Sequence, residues 1–408
     1  MPESFITPNY YGIIYCNYQV VTDSKRMSVP TIITNETREL VANIEESLPY
    51  DAHDAEVYTQ QLVGHLTLRC ADPAIQAKYA GYSFLGEGLG AYPLMSDGFA
   101  QSFDVLSQEA ELFEHWGRFG VVVGKSVAPR ELCTNAIGYV KSVVADLSSE
   151  TCAVDKPDSY DNLPVDTQGV PILTRGFFEI YHDDSLAQLR QSLKAYLHHV
   201  VLWGRADLWT TYDRFGVKLA GHQESAALPL HVDQNPKEHP DFRTVQGVLA
   251  LDDCPVERGT LLAVPGSKAC FTDYLPMAPQ RGEYVELEVD SPIGEILTDH
   301  AQPIPLRQGD LVSWDSRTTH ANTANISELT RFIALIAAGV AREDNAAAVA
   351  VRAEAYATGL GSNVRDALMH ASKRPRYTDQ AAAARVRRPE QLSLLGKLLY
   401  GQEHYDSV

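Results

Sequence analysis

Four stretches of the chain read His-X-Asp: His182/Asp184, His231/Asp233, His239/Asp241 and His404/Asp406. An imidazole and a carboxylate two residues apart can grip one divalent ion only when both leave the same face of the backbone. A strand provides this, because alternate residues share a face, whereas on a helix the same pair diverges by about 200°. His182/Asp184 stands where an apolar periodicity opens a helix, so Asp184 reads as a cap. Pro240 interrupts His239/Asp241 in a polar stretch, and His404/Asp406 has no later histidine to join it. His231/Asp233 follows the apolar AALPL inside a strand-rich region and is the pair placed to chelate.

A third ligand is expected from His320, 87 residues beyond Asp233 in GDLVSWDSRTTHANTANISELTR. Arg331 follows eleven residues later. With a turn centred near Asn325 and Ile326, His320 and Arg331 would face each other across an antiparallel pair, their Cβ atoms about 5 Å apart. Two imidazoles and one carboxylate on one face of an octahedron leave three positions open, the pattern of non-haem Fe(II) oxygenases. Two of these positions suit the keto-acid end of 2-oxoglutarate and the third suits O2, while the fork of Arg331 suits the far carboxylate better than a lysine. Fe(II), 2-oxoglutarate and O2 are therefore expected, with His231, Asp233 and His320 as the metal-binding catalytic set and Arg331 as cosubstrate anchor. Gln246 shares a strand face with Thr244 and Val248; it either touches cosubstrate or substrate or is a buried glutamine satisfied by backbone groups. Trp314 reads as core packing, and Asn322 either shares the face of His320 or shapes a turn.

The elements around these residues must hold them in strand geometry. From about 208 to 341 the sequence breaks into short β-rich segments, RTVQGVLAL, TLLAVPG, EYVELEV, GDLVSWD and TRFIALIAAGV, separated by turn residues. That rhythm predicts a sandwich or barrel of antiparallel strands. Leu186, Leu189, Leu193, Leu197 and Val201 recur at helical spacing and predict a helix over about 186–203, capped by Asp184 or Ser185. The Asp-, Pro- and Ser-rich stretch 148–172 reads as a long surface loop, and with 272–303 it is a natural cover for a site. Residues 1 to about 110 mix a strand-like segment, Tyr11 to Val21, with a helix-like one, Thr37 to Ser47, and a glycine-rich turn at Gly86 to Gly90. After Ala341 the chain turns helical and closes on PEQLSLLGKLLYG. The expected organisation is an N-terminal mixed α/β extension (1–110), a β core (111–345) and a C-terminal helical segment (346–408) packed on that core.

Six pieces of sequence, in this order, carry a resemblance: WGRFGVVVGKSVAPRELC at 116–133, LHVDQNP at 230–236, TVQGVLALDD at 244–253, GTLLAVPGS at 259–267, GDLVSWDSRTTHANTANISELTR at 309–331 and LSLLGKLLYG at 392–401. Together they are similar to the phytanoyl-CoA dioxygenase-like family of Fe(II)- and 2-oxoglutarate-dependent oxygenases, over roughly residues 112–401. The resemblance implies a mainly β fold with flanking helices around a double-stranded β-helix, a jelly roll of cupin-like form. It also implies iron held by His231, Asp233 and His320, 2-oxoglutarate anchored by Arg331, and hydroxylation of an unactivated C–H bond with release of succinate and CO2. Many members have a histidine after the VPGS segment; Lys268 stands there in this chain, and the histidine's contacts do not carry over. Asp233 argues against the halogenating variants, in which a small residue replaces the carboxylate.

Composition narrows the partners. Among 408 residues, 53 Asp and Glu against 34 Lys and Arg give a net charge of −19, which repels phosphate backbones and anionic lipid surfaces. Nucleic acid and membrane are thus disfavoured as partners, and a small-molecule substrate of polar or amino-acid-like character is expected. Hydrophobic residues at 45% and charged residues at 21% are the balance of a folded globular chain. The six cysteines form no CxxC pair, the N-terminus has no basic segment leading into an apolar stretch, and the longest apolar run, Phe332 to Val340, is far short of a membrane span. A reducing cytoplasm is the expected compartment; nothing in the sequence sets an oligomeric state. Two rival readings share the fold: a cupin-like metalloenzyme that does not use 2-oxoglutarate, with Arg331 a structural ion-pair partner, and a non-catalytic binding protein.

Overall fold

The Val-, Leu- and Ile-rich runs between 121 and 340 form strands that pair antiparallel into two sheets in the computed structural model, which describes residues 30–48, 52–81, 88–148, 150–166, 169–174, 176–221, 228–240, 243–280, 285–362, 371–373, 389 and 392–408. The strand-like Tyr11 to Val21 and part of the turn at Gly86 to Gly90 lie outside the described residues. In chain order the strands are β1 (Val121–Gly124), β2 (Phe177–Phe178), β3 (Leu208–Thr210), β4 (Phe215–Lys218), β5 (Leu228–Val232), β6 (Val245–Ala250), β7 (Leu261–Ala263), β8 (Val285–Glu286), β9 (Gln302–Ile304), β10 (Leu311–Asp315), β11 (His320–Asn322), β12 (Arg331–Leu335) and β13 (Ala338–Val340). The larger sheet runs β1-β10-β6-β12-β4-β2, with β13 joined to β6 and β3 to β13; the smaller runs β8-β5-β11-β7-β9. From β4 to β7, and again from β9 to β12, each strand lies in the opposite sheet from the one before it. This stepping is the double-stranded β-helix, and the fold is mainly β.

Period-two alternation sorts the side chains into layers. On β12, Phe332 and Ala334 join a cluster with Val140, Val143 and Val144, outside the larger sheet, while Ile333 packs with Val248, Val312, Trp314, Leu261 and Ile304, between the sheets. On the smaller sheet, Leu230, Val232 and Ala321 face outward into a cluster with Tyr274 and Leu297. His231 and His320 alternate with these residues and therefore point inward, as Arg331 does beside Ile333. Gly247 on β6 is required by a close approach, since a Cβ there would stand 2.0 Å from the Ile336 carbonyl oxygen.

Helices close the outer faces. They are α1 (Asn35–Ser47), α2 (Ala52–Cys70), α3 (Pro73–Gly81), α4 (Glu109–Phe119), α5 (Arg130–Leu147), α6 (Asp184–Arg190), α7 (Leu193–Trp203), α8 (Pro292–Asp299), α9 (Ala346–Thr358) and a closing helix, Leu394–Tyr400. Leu40, Leu62 and Leu66 share one buried cluster with Trp116, Leu197, Val245 and Leu399, so this N-terminal helical region packs on the same core as the strands. Contacts gather Thr31–Val408 into one unit. The single helix expected over 186–203 is two helices. Asp183, not Asp184 or Ser185, caps α6 by accepting from the Leu186 amide at 3.1 Å, and the backbone extends at Ser192 (ψ 127°) before α7 begins. Tertiary bonding causes the break: buried Arg190 is bound to the Tyr181 carbonyl and the Tyr400 hydroxyl, and the Ser192 hydroxyl donates to the Val127 carbonyl. The stretch 148–172 is not a free loop either. Val154, Leu163 and Ile172 are buried in the outer cluster, and the Thr330 hydroxyl donates to the Val154 carbonyl.

Candidate metal centre and cosubstrate pocket

Strand register brings the first three site residues together. His231 on β5 and His320 on β11 are direct cross-strand partners, with ring centroids 4.4 Å apart, and Asp233 follows the end of β5 on the same inward face. His231 Nε2 lies 3.5 Å from one Asp233 oxygen and His320 Nε2 lies 3.4 Å from the other. Neighbouring ligand atoms around one octahedral ion are about 3 Å apart when each bond is about 2.1 Å, so the three donors are close to the spacing an ion needs. Both Nδ1 atoms are committed to backbone carbonyls, His231 to Pro229 at 2.8 Å and His320 to Thr318 at 3.0 Å. A carbonyl only accepts, so each Nδ1 carries the proton and each Nε2 lone pair faces the gap between the rings. The donor set is the chemistry that divalent iron takes.

Electrostatics suit a cation. Burial pushes the Asp233 carboxyl upward, but hydrogen bonds and charge from His231 and His320 outweigh it and hold the group well below the usual carboxylate range. Burial lowers His231, and Asp233 more than reverses this. The imidazoles are closed off, at 11% and 6% side-chain exposure, while Asp233 keeps 35%, so the site is open on the carboxylate side.

The larger sheet supplies the opposite wall. Gln246 on β6 donates from Nε2 to Asp233 at 2.5 Å, and its Oε1 is buried without a partner among the described residues. Trp314 on β10 lies directly across from Gln246 and 5.1 Å, ring to ring, from His320, so it borders the site as well as packing the core. Arg331 on β12 is 6% exposed, and its Nη1 is buried with no hydrogen-bond partner among the described residues. Burial lowers its pKa, while the Cys254 thiol beside it acts in the opposite direction. An orphaned guanidinium donor facing the interior fits the carboxylate of a bound oxoacid.

One expected neighbour relation is corrected. His320 and Arg331 are not cross-strand partners: β11 lies between β5 and β7, and β12 lies between β4 and β6 in the other sheet. The intervening residues form a corner instead of a hairpin. Asn325 Nδ2 donates to the Lys218, Leu219 and Leu329 carbonyls, and Asn325 Oδ1 accepts from the Ser327 amide, which turns the chain from one sheet to the other. The three-donor cluster and the guanidinium thus face each other across the roll.

Sequence reading missed several supports. Ser267 Oγ, in the VPGS segment, accepts from the Thr319 amide at 2.8 Å and fixes the residue before His320. Gln234 Oε1 accepts from the Ser316 hydroxyl at 2.8 Å, tying the residue after Asp233 to the turn that precedes His320. Lys218 is the register partner of Arg331; it is 6% exposed, and its Nζ donates to Asn322 Oδ1 and the Thr323 carbonyl. The available signal was a lysine in the apolar run FGVKLA. Lys268 is buried too, with Nζ 3.5 Å from the Trp116 carbonyl, and burial lowers it to about 8.

Residues 176–333 match the family model described as phytanoyl-CoA dioxygenase. No curated protein matches the chain. Solved structures it is similar to include the non-haem α-ketoglutarate-dependent carbocyclase SnoK from nogalamycin biosynthesis, at 18% identity over 59% of this chain and 88% of that one (TM-score 0.38). EctD from S. alaskensis, solved with 2-oxoglutarate and 5-hydroxyectoine, aligns at 16% identity over 63% and 81% (TM-score 0.40). AviO1 from Streptomyces viridochromogenes aligns at 21% identity over 57% and 94% (TM-score 0.36).

Proposed function

We propose that this phytanoyl-CoA dioxygenase-like chain, an iron- and 2-oxoglutarate-dependent oxygenase, hydroxylates an unactivated C–H bond of a small polar metabolite at the centre formed by His231, Asp233 and His320. The observation that carries the reading is the juxtaposition across the roll: a three-donor cluster on one sheet and, on the other, an interior guanidinium with a donor that is unpartnered among the described residues. In this reading His231, Asp233 and His320 hold the iron and Arg331 holds the far carboxylate of 2-oxoglutarate. Bound iron supplies O2 activation coupled to decarboxylation of 2-oxoglutarate to succinate and CO2.

The remaining work belongs to the chain. The Pro229 and Thr318 carbonyls keep each imidazole in the metal-binding tautomer. Gln246 fixes the rotation of the Asp233 carboxylate through its Nε2 hydrogen bond. Trp314 and the apolar layer of Val248, Leu261 and Ile333 exclude water from the side of the pocket next to Arg331.

Succinate release from 2-oxoglutarate in air with Fe(II), measured alongside Asp233→Ala and Arg331→Ala, tests the assignment. The expected result is turnover by the parent protein and loss in both variants. Equal turnover by all three would falsify the site.

A further inference from the structure

The smaller sheet ends on an edge strand that brings a further carboxylate to the rim of the three-donor cluster. β8 pairs with β5, and Glu286 is the direct cross-strand partner of His231. Directly opposed residues leave the sheet on the same face, with Cβ atoms about 5 Å apart. Burial gives the same assignment of faces: Val285 and Leu287, on either side of Glu286, join Leu230 and Val232 in the outer cluster. Glu286 therefore takes the opposite face, the inward one that His231 occupies. The Leu287 amide donates to the Leu230 carbonyl at 2.8 Å, so the pairing continues past the end of β8. The charge of Glu286 reaches His231 and acts on that imidazole in the same direction as Asp233. Even so, the group of donors close enough together to share one ion is His231, Asp233 and His320, without Glu286. Glu286 is exposed, and among the described residues its carboxylate has no hydrogen bond and no lysine or arginine partner. It stands next to the cluster without belonging to it.

We propose that Glu286 is a substrate-recognition residue, whose carboxylate receives a protonated amine of the substrate and sets it beside the iron. This rests on the oxygenase reading above and names a substrate class for it: a small metabolite that carries an ammonium group. The competing account is an edge guard, since charge on an edge strand discourages pairing with another sheet. A guard works from either face and at any position of the strand. This carboxylate is on the inward face, at the one residue of β8 that opposes His231. His320 closes the other flank of His231, and Asp233 keeps 35% side-chain exposure, so the approach to the cluster is not sealed. An ammonium held there can give one hydrogen to Glu286 and keep the others hydrated, which avoids the full desolvation cost of a buried ion pair. Glu288 is exposed two residues further along, and the net charge of −19 adds to the attraction of a cation.

The test uses protein loaded with Mn(II) and 2-oxoglutarate under argon, and reads the proton NMR relaxation of two probes, n-butylammonium and n-butanol, which match in length and differ in charge. Enhancement by Mn(II) requires the probe to sit near the metal and scales with the fraction bound. The parent should relax n-butylammonium well above n-butanol. Glu286→Gln should bring the two probes level, since a hydrogen bond to a charged group corresponds to roughly ten- to a hundredfold in affinity. Glu286→Asp should keep part of the difference, and Glu295→Gln, which removes the same charge from an exposed position on α8, should keep all of it. Equal relaxation of the two probes by the parent, or a parent-like difference in Glu286→Gln, overturns the proposal and leaves an edge guard. An equal fall in Glu295→Gln overturns it as well, because overall charge would then account for the attraction. In air with Fe(II), primary amines should stimulate succinate release more than their N-acetyl forms, and the reverse order would again overturn it. Failure of the parent protein to bind Mn(II) or 2-oxoglutarate would instead sink the oxygenase reading itself.

Discussion

Replacing Gln246 should loosen the metal without touching a ligand. Its Nε2 donates to Asp233 Oδ2 at 2.5 Å, and the orientation of the amide is settled because an ionised carboxylate can only accept. A hydrogen bond to a charged group contributes about 1.5–3 kcal/mol, which at about 1.4 kcal/mol per decade is roughly 10- to 150-fold in affinity. Losing a support behind a metal ligand typically costs about 10- to 100-fold in metal affinity, so the two estimates overlap. Gln246→Ala removes the donor, and Gln246→Glu keeps the shape but sets a second carboxylate against Asp233. The expected order of Mn(II) affinity at neutral pH is parent, then Gln246→Ala, then Gln246→Glu, followed through the free-ion EPR signal. If Gln246→Ala binds within a factor of about two of the parent, or Gln246→Glu binds as tightly as the parent, the hydrogen bond is not what orients Asp233.

Two further outcomes follow from packing and burial. Gly247→Ala drives a Cβ to 2.0 Å from the Ile336 carbonyl, where backbone must move, and should cost about 1–3 kcal/mol in urea unfolding; an unchanged midpoint would show that the strands yield freely. Lys218 is held near 7 in the fold against an ordinary 10.5, so above its folded value the unfolded chain binds more protons. In the absence of oxoacid, the stability of the parent relative to Lys218→Met should therefore be lowest at and below about pH 7 and rise between about 7 and 10. A pH-independent difference would mean that the ammonium is not strained by burial.

The three-donor cluster was legible because strand geometry leaves a local trace. His231 and Asp233 sit two apart in a β context, and that spacing alone places both on one face. The position of Arg331 was harder to read. Eleven residues from His320 suit a hairpin, and only the Asn325 bonds to three carbonyls reveal that the chain crosses to the other sheet. Lys218 and Ser267 were out of reach for a related reason: Lys218 acts on residues over a hundred positions away and Ser267 on one about fifty away, so no local pattern marks them. The helix over 186–203 failed where long-range bonds to Arg190 and Ser192 outweighed periodicity. The strand β12 itself was legible from its Phe-Ile-Ala-Leu run, but a continuous apolar run does not say which residues face inward, and the burial of 148–172 depends on partners on α5 and at Thr330 that composition does not indicate.

Both imidazoles of the three-donor cluster take their tautomer from a backbone oxygen two residues upstream, Pro229 for His231 and Thr318 for His320. Backbone oxygens survive side-chain substitution. Many histidine sites rely on a partner carboxylate that one point mutation deletes, but here the partners are main-chain atoms of β5 and of the turn before β11. Drift among descendants of this chain can rewrite the surrounding pocket, and with it the choice of substrate, while the imidazoles keep presenting the same lone pairs. Such a centre would be lost by changing a ligand or breaking a strand, and seldom by a change nearby.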